Sequence, residues 1–147
     1  MSKYNIIKLD AISSTNDYLK KKYKSNNCKD GDIIWTKEQT HGKGQRENKW
    51  ISQKGKSLTI SVYKEFDKFK VSNSFVLNAL ISTSIVKTLD KIGLKKIRIK
   101  WPNDIMSGNK KLGGILIENF IKNNAKFFDD VGAKAVQGQA YLPGKDE

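Results

Sequence analysis

The stretch Ile97-Arg98-Ile99-Lys100-Trp101-Pro102-Asn103-Asp104-Ile105-Met106-Ser107-Gly108-Asn109-Lys110-Lys111-Leu112-Gly113-Gly114-Ile115-Leu116-Ile117-Glu118-Asn119 decides the fold. Ile97 to Trp101 is short and rich in β-branched and aromatic residues, which suits a strand. Pro102 has no N–H and stops ladder pairing, so the chain must turn there. Asp104 to Met106 resumes an extended run, Ser107-Gly108-Asn109-Lys110 supplies turn residues, and Lys111 to Asn119 returns as a strongly apolar strand. Strand, break and hairpin follow one another. Lys100 is left where a strand exits the sheet, a position from which a side chain on a rigid scaffold can meet a ligand. Asn103 and Asp104 also serve as ordinary turn formers.

Outward from this hairpin, Val71, Phe75, Val76, Leu80, Ile81, Ile85, Leu89 and Ile92 recur at three- and four-residue spacing. They predict a long amphipathic helix closed by Gly93 and covering one face of a sheet. Leu58-Thr59-Ile60-Ser61-Val62 alternates apolar and polar, which predicts a strand whose apolar face is buried. Asp32 to Lys37 and Tyr4 to Leu9 are further strands, and Ser14 with Asp17 three residues on resembles a capping box opening a helix to about Tyr23. Gln39 to Lys49, QTHGKGQRENK, has no apolar residue and reads as a loop that buries nothing. The expected class is α+β, with a mixed, mostly antiparallel sheet and helices on one face.

The 147 residues fit one domain with a real core. No apolar run approaches the roughly 20 residues of a membrane span, and MSKYNIIKLD lacks a signal-peptide core, so a cytoplasmic protein away from membranes is expected. Cys28 is the only cysteine and has no catalytic neighbour in sequence, so it reads as incidental. The net charge of +13 invites a nucleic-acid reading. Yet only Arg46 and Arg98 are arginines among 28 basic residues, whereas groove readers depend on arginine's bidentate fork. Nucleic-acid binding beyond the non-specific is therefore not expected. Gly42-Lys43-Gly44-Gln45-Arg46 offers backbone N–H groups and charge to an anion, but it is neither a P-loop nor a dinucleotide loop.

Taken together and in this order, Ser14-Thr15-Asn16, QTHGKGQ followed by Trp50, KWPND and KLGGILIE resemble the biotin protein ligases over about residues 4 to 119. Lipoate ligases share that fold without the last pair of motifs. The resemblance implies the ligase catalytic-domain fold, which is like that of class II aminoacyl-tRNA synthetases. It also implies a reaction in which biotin and ATP, with magnesium, give biotinyl-5′-AMP, and a lysine of a biotin carboxyl carrier protein, such as that of acetyl-CoA carboxylase, then takes the biotin. By matching motif, Ser14, Thr15, Asn16, Gln39, Lys43, Gly44, Gln45, Lys100, Gly113 and Gly114 would line the biotin site. Gly42, Lys43, Gly44, Gln45, Arg46, Trp50, Asn103 and Asp104 would serve ATP and the adenylate. Lys100 would be catalytic, and no protein metal ligand is expected.

The resemblance has gaps. Lys43 and Gln45 stand where the family has arginines, which removes one fixed charge, and Glu47 stands where relatives often have a small residue. After Glu118 the sequence FFDDVGAKAVQGQAYLPGKDE does not match the family's next strand, so the catalytic domain is expected over residues 1–120, truncated, with a divergent tail over 121–147. Neither an N-terminal helix-turn-helix nor a C-terminal β-barrel is expected. Lys111 to Asn119 would then have an unpaired apolar edge, with 126–131 as its only short replacement, favouring low stability and self-association, with a homodimer as the simplest form. The alternatives are an inactive biotin- or adenylate-binding fragment, a lipoate-ligase-like enzyme, or a basic nucleic-acid module.

Overall fold

The structure, a computed structural model, describes residues 4–65, 74–120 and 133–141. In chain order the elements are β1 (Asn5–Ile12), α1 (Thr15–Lys24), β2 (Asp32–Gln39), β3 (Gly42–Lys43), β4 (Lys49–Trp50), β5 (Ser57–Lys64), α2 (Ser74–Lys91), β6 (Ile97–Lys100), β7 (Asp104–Ser107), β8 (Lys110–Phe120) and β9 (Ala133–Tyr141). Seven strands form one sheet in the order β1-β2-β5-β9-β8-β7-β6. Only β1 and β2 run parallel; every other neighbouring pair is antiparallel. The mixed, mostly antiparallel sheet expected from the sequence is present.

The helices, expected together on one face, lie on opposite faces. Directly paired residues share a face, so Ile34, Ser61 and Leu116 line one side, here the front. There Leu19 of α1 packs with Ile34 and Tyr63. On the back, Ile105, Leu112 and Ile115 pack with Ile81, Ile85, Val86 and Leu89 of α2. Val71, expected in that helix, lies outside the described residues. Phe75 of α2 and Trp101 at the end of β6 face each other with ring centroids 5.7 Å apart, tying the helix start to the KWPND turn.

Two expectations need correction. The buried alternation of β5 is inverted: Ser57, Thr59, Ser61 and Tyr63 are buried, whereas Leu58 is 41% exposed. Polar residues can be the inner set here because several of them bond to one another. Second, β8 does have a following strand beside it. Residues 126–131 lie outside the described residues, but Ala133–Tyr141 enters the sheet as β9 between β5 and β8, with Gly138 opposite both Ile60 and Ile115. Two unsatisfied strand edges recruit backbone whatever its hydropathy, so this small, polar segment can still be a central strand. Residues on both sides of the boundary expected at residue 120 thus belong to one sheet, in which β9 covers one edge of β8 over Gly113–Phe120 and β7 covers the other over Lys110–Gly114.

Candidate functional site

Ser14 caps α1, its Oγ accepting from Asp17 N at 3.3 Å. This cap fixes where the first turn starts, and so lays Thr15 and Asn16 against the front of the sheet, where Ser14, Thr15 and Asn16 are all at most 1% exposed. Gln39, at the end of β2, is also buried, and its Oε1 accepts from Thr15 N at 2.9 Å and from Thr15 Oγ1 at 3.2 Å. Ser61 Oγ stands 2.7 Å from both Thr15 Oγ1 and Asn16 Oδ1. Asn16 Nδ2 donates to Glu118 Oε2 at 2.8 Å, carrying the network across to β8. The four residues assigned to the biotin end from the sequence are thus brought together, and Ser61 and Glu118 join them.

This network is built of uncharged groups and closed by one carboxylate. The amide orientations are set by Thr15 N at Gln39 and by the Glu118 carboxylate at Asn16. The two hydroxyl protons, on Thr15 and Ser61, are shared among three oxygen–oxygen contacts, with Thr15 N also serving the Gln39 oxygen. Hydroxyl and amide groups of this kind can both donate and accept without charge.

The segment after β2 is not the featureless loop predicted. It folds into a two-stranded hairpin, β3 with β4, around a single 3-10 turn at Gln45–Glu47, and Gly44 N donates to Asn48 O at 2.6 Å. His41 N donates to Ser13 O at 2.8 Å, anchoring the hairpin to the approach to α1. Lys43 Nζ bonds Asp17 Oδ2 at 2.7 Å, and this contact holds the ammonium above its usual range. Gly42 is buried, and a Cβ there would meet Trp50 O at 2.7 Å. At Gly44 φ is −108°, a conformation open to any residue. Glycine is required there by crowding: a Cβ would sit 2.5 Å from Trp50 Nε1. Trp50 also reaches β8, its Cζ2 lying 3.1 Å from where a Cβ on Gly114 would be. The indole is held between the two glycines. Arg46 is the exposed residue with left-handed φ, at 52°.

At the other end of the front face, Lys100 pairs across the β6–β7 ladder with Asp104, and Asp104 pairs with Gly114. Asp104 Oδ1 holds Lys111 Nζ at 2.7 Å. Lys111 is a residue that sequence reasoning missed. In a regular strand it would point the same way as Ile115, to the back. A register shift, in which Ile105 pairs with Gly113 but Met106 pairs with Lys111, makes Leu112 the extra residue of a β-bulge. Leu112 turns into the back core and Lys111 to the front, the re-aiming that bulges perform. The available signal was Leu112 and Ile115, two buried residues three apart in a strand of period two. A cavity of ≈ 400 Å³ here is lined by Lys49, Trp50, Gln53, Ser57, Lys111 and Gly114, with Gly113 at its margin.

Asn103 is not free to face a nucleotide: its Nδ2 donates to Ile115 O at 3.2 Å while Ile115 N donates to Asn103 O at 2.9 Å. It ties the KWPND turn to β8. Cys28 is half-buried, and burial first, then the Asp32 charge, pushes its thiol up to about 11, which makes it a poor nucleophile. Among the described residues no cluster of three His, Cys, Asp or Glu side chains could hold a metal ion, and no helix is long and apolar enough to cross a membrane.

The front face thus carries a buried network of hydroxyl and amide groups at one end, lysines at the other and a glycine hairpin beside both. Comparison with known proteins gives this layout a context. A bifunctional ligase/repressor BirA of Salmonella typhimurium is 34% identical over 114 residues, 78% of this chain and 35% of that protein. Biotin--protein ligase 2 of Arabidopsis thaliana is 30% identical over 125 residues, 82% of this chain and 37% of that protein. The chain spans only about a third of the length of these curated relatives. Among solved structures, the biotin protein ligase of Aquifex aeolicus in complex with biotin and ATP superposes with a TM-score of 0.75 at 25% identity, over 97% of this chain and 54% of that one. The biotin acetyl coenzyme A carboxylase synthetase of Helicobacter pylori with bound biotinylated ATP gives 0.69, also at 25% identity, over 98% of this chain and 64% of that one. Residues 9–127 match the model of one family, and the chain belongs to it: the biotin/lipoate A/B protein ligase family.

Proposed function

We propose that this chain carries the biotin- and adenylate-binding region of a biotin protein ligase. The observation behind this reading is the buried, uncharged set of hydroxyl and amide side chains on Thr15, Asn16, Gln39 and Ser61. A urea brings two N–H donors and one strong acceptor without charge, which matches buried hydroxyl and amide groups better than an ion would. The dithiolane of lipoate has neither an N–H nor a carbonyl and would offer such a set no comparable partner. With the urea at that end, the carboxylate of biotin would extend toward Lys100 and Lys111. Their ammonium groups would stabilise charge while a carboxylate oxygen attacks the α-phosphorus of ATP and pyrophosphate leaves. Magnesium would enter as part of the nucleotide substrate, offsetting phosphate charge.

Trp50, Gly42, Lys43, Gly44, Gln45 and Arg46 would then border the adenylate, with Asp104 and Asn103 positioning Lys111 and the turn rather than touching nucleotide. In the second step a carrier lysine amine would attack the acyl carbon of the mixed anhydride, AMP would leave, and the amine would lose its proton. The expected acceptor is a biotin carboxyl carrier protein, in the cytoplasm. Incubation with labelled biotin, ATP, magnesium and a carrier domain, reading adenylate and biotinylated carrier separately, tests each step. Adenylate without transfer would leave a binding and activating fragment, and neither product together with lipoate binding would overturn the reading. Sedimentation in the same buffers tests the self-association expected from the sequence.

A further inference from the structure

Among the described residues, the front face holds one buried hydroxyl without a hydrogen-bond partner. Thr59 is 0% exposed, and its Oγ1 has no hydrogen-bond partner. It lies on β5 two residues from Ser61, on the same face, and two residues from Ser57, which lines the cavity beside Lys111. Its register partners on either side are Thr36 and Gln139, and Gln139 is paired in turn with Gly114. Thr59 is therefore on the line from the buried polar network to the lysines. A buried hydroxyl left alone weakens a fold, and such a group is retained where a ligand completes it.

We propose that Thr59 is a specificity-determining residue whose hydroxyl meets the thioether sulfur of the biotin bicycle. The inference rests on the biotin reading above. In biotin the urea and the sulfur are at opposite ends of the fused rings, with the acid chain leaving from the sulfur-bearing ring. Successive same-face positions on a strand are about 6–7 Å apart, a separation comparable to the span of that bicycle. With the urea at Ser61, the sulfur falls beside Thr59, and a thioether accepts only weakly, so a neutral hydroxyl with no competing acceptor is the donor that suits it.

Titration calorimetry on the full chain with biotin and with desthiobiotin, which lacks the sulfur, tests this. In Thr59→Val, an isosteric change, biotin should bind about 5–10-fold more weakly while desthiobiotin binding is unchanged. The melting temperature of the unliganded variant should stay level or rise, because a buried unpartnered hydroxyl has gone. Thr59→Ser, which keeps the hydroxyl, should keep the preference for biotin. Equal losses for both ligands in Thr59→Val, or no loss for either, would overturn the assignment while leaving the biotin reading intact. Failure of the unaltered chain to bind either ligand would sink both.

Discussion

The two faces of this sheet are built by the same strands and differ in kind. Behind the sheet, Ile105, Leu112 and Ile115 form an aliphatic cluster with a helix, the non-directional burial that stabilises a fold in proportion to apolar area, although that helix also buries Asn78 and Ser82. In front, beside the small cluster of Leu19, Ile34 and Tyr63, the buried residues include Thr15, Asn16, Asp32, Thr36, Gln39, Thr59 and Ser61. Burying these groups yields little net stability even when they are bonded, and Thr59 has no partner at all. One face holds the protein together, and the other is costly structure kept for a ligand. Substitutions should therefore separate, with front-face lesions reading out in chemistry and back-face lesions in stability.

The sharpest break would come from the lysines. Lys100→Ala or Lys111→Ala should lower adenylate formation by a factor of roughly a hundred to a thousand, about 3–4 kcal/mol of transition-state stabilisation. Neither change should shift the unfolding midpoint by more than a degree or two, since both side chains are largely in solvent. Single-turnover adenylation beside thermal melts gives both numbers, and a large effect of one lysine only would locate the reacting carboxylate nearer to it. Ile115→Ala is the mirror experiment. It should cost about 3 kcal/mol in denaturant unfolding by opening a cavity behind β8, while the folded fraction keeps its biotin affinity.

Asp32 tests whether any front-face polar group also holds the fold. Burial raises its carboxyl pKa, but hydrogen bonds from Lys22 at 2.6 Å, Asn5 at 3.0 Å and Lys29 N at 3.1 Å outweigh it, leaving the pKa below the usual carboxylate value. A depressed folded-state pKa gives stability that is present above the ordinary aspartate pKa and lost as pH falls through the folded value. Stability should therefore decline below about pH 4, and less steeply in Asp32→Asn, as measured by urea midpoints across pH. The smallest effect is expected at the hairpin. Gly44→Val should raise the release rate of the adenylate about tenfold by pushing the Trp50 ring away, with little change in stability. Loss of fold with retained adenylate would make the hairpin part of the core instead.

How much of this was legible in the sequence depended on whether a residue's side of the sheet could be deduced. Local signals carried well: the Ser14 cap, the hairpin after Pro102 and the spacing of Ile81, Ile85 and Leu89 all appear where their chemistry predicts. The front face was harder, because hydropathy alternation assumes that the buried set is apolar, and Ser57, Thr59 and Ser61 reverse that. The partner of a buried serine is a matter of tertiary contact, as with Ser61 and Asn16, 45 residues apart in sequence. β9 was illegible for another reason: its place depends on the edges offered by β5 and β8 more than on its own side chains.

The bulge at Leu112 has one more consequence, for how this segment can change over evolutionary time. Upstream of it the strand takes its phase from the short β7 ladder, and downstream from β9, over Gly113 to Phe120. The extra residue is a joint between two independently clocked stretches. Loss of Leu112 would remove the bulge and leave regular pairing, with Lys111 still opposite Met106 on the front and nothing altered from Gly113 onward. Gain or loss of two in the Ser107–Lys110 turn would also leave the phase untouched. The hairpin tip is therefore free to vary in length by even steps, while the residue at the joint is held by its place in the back core and not by the phase of its neighbours.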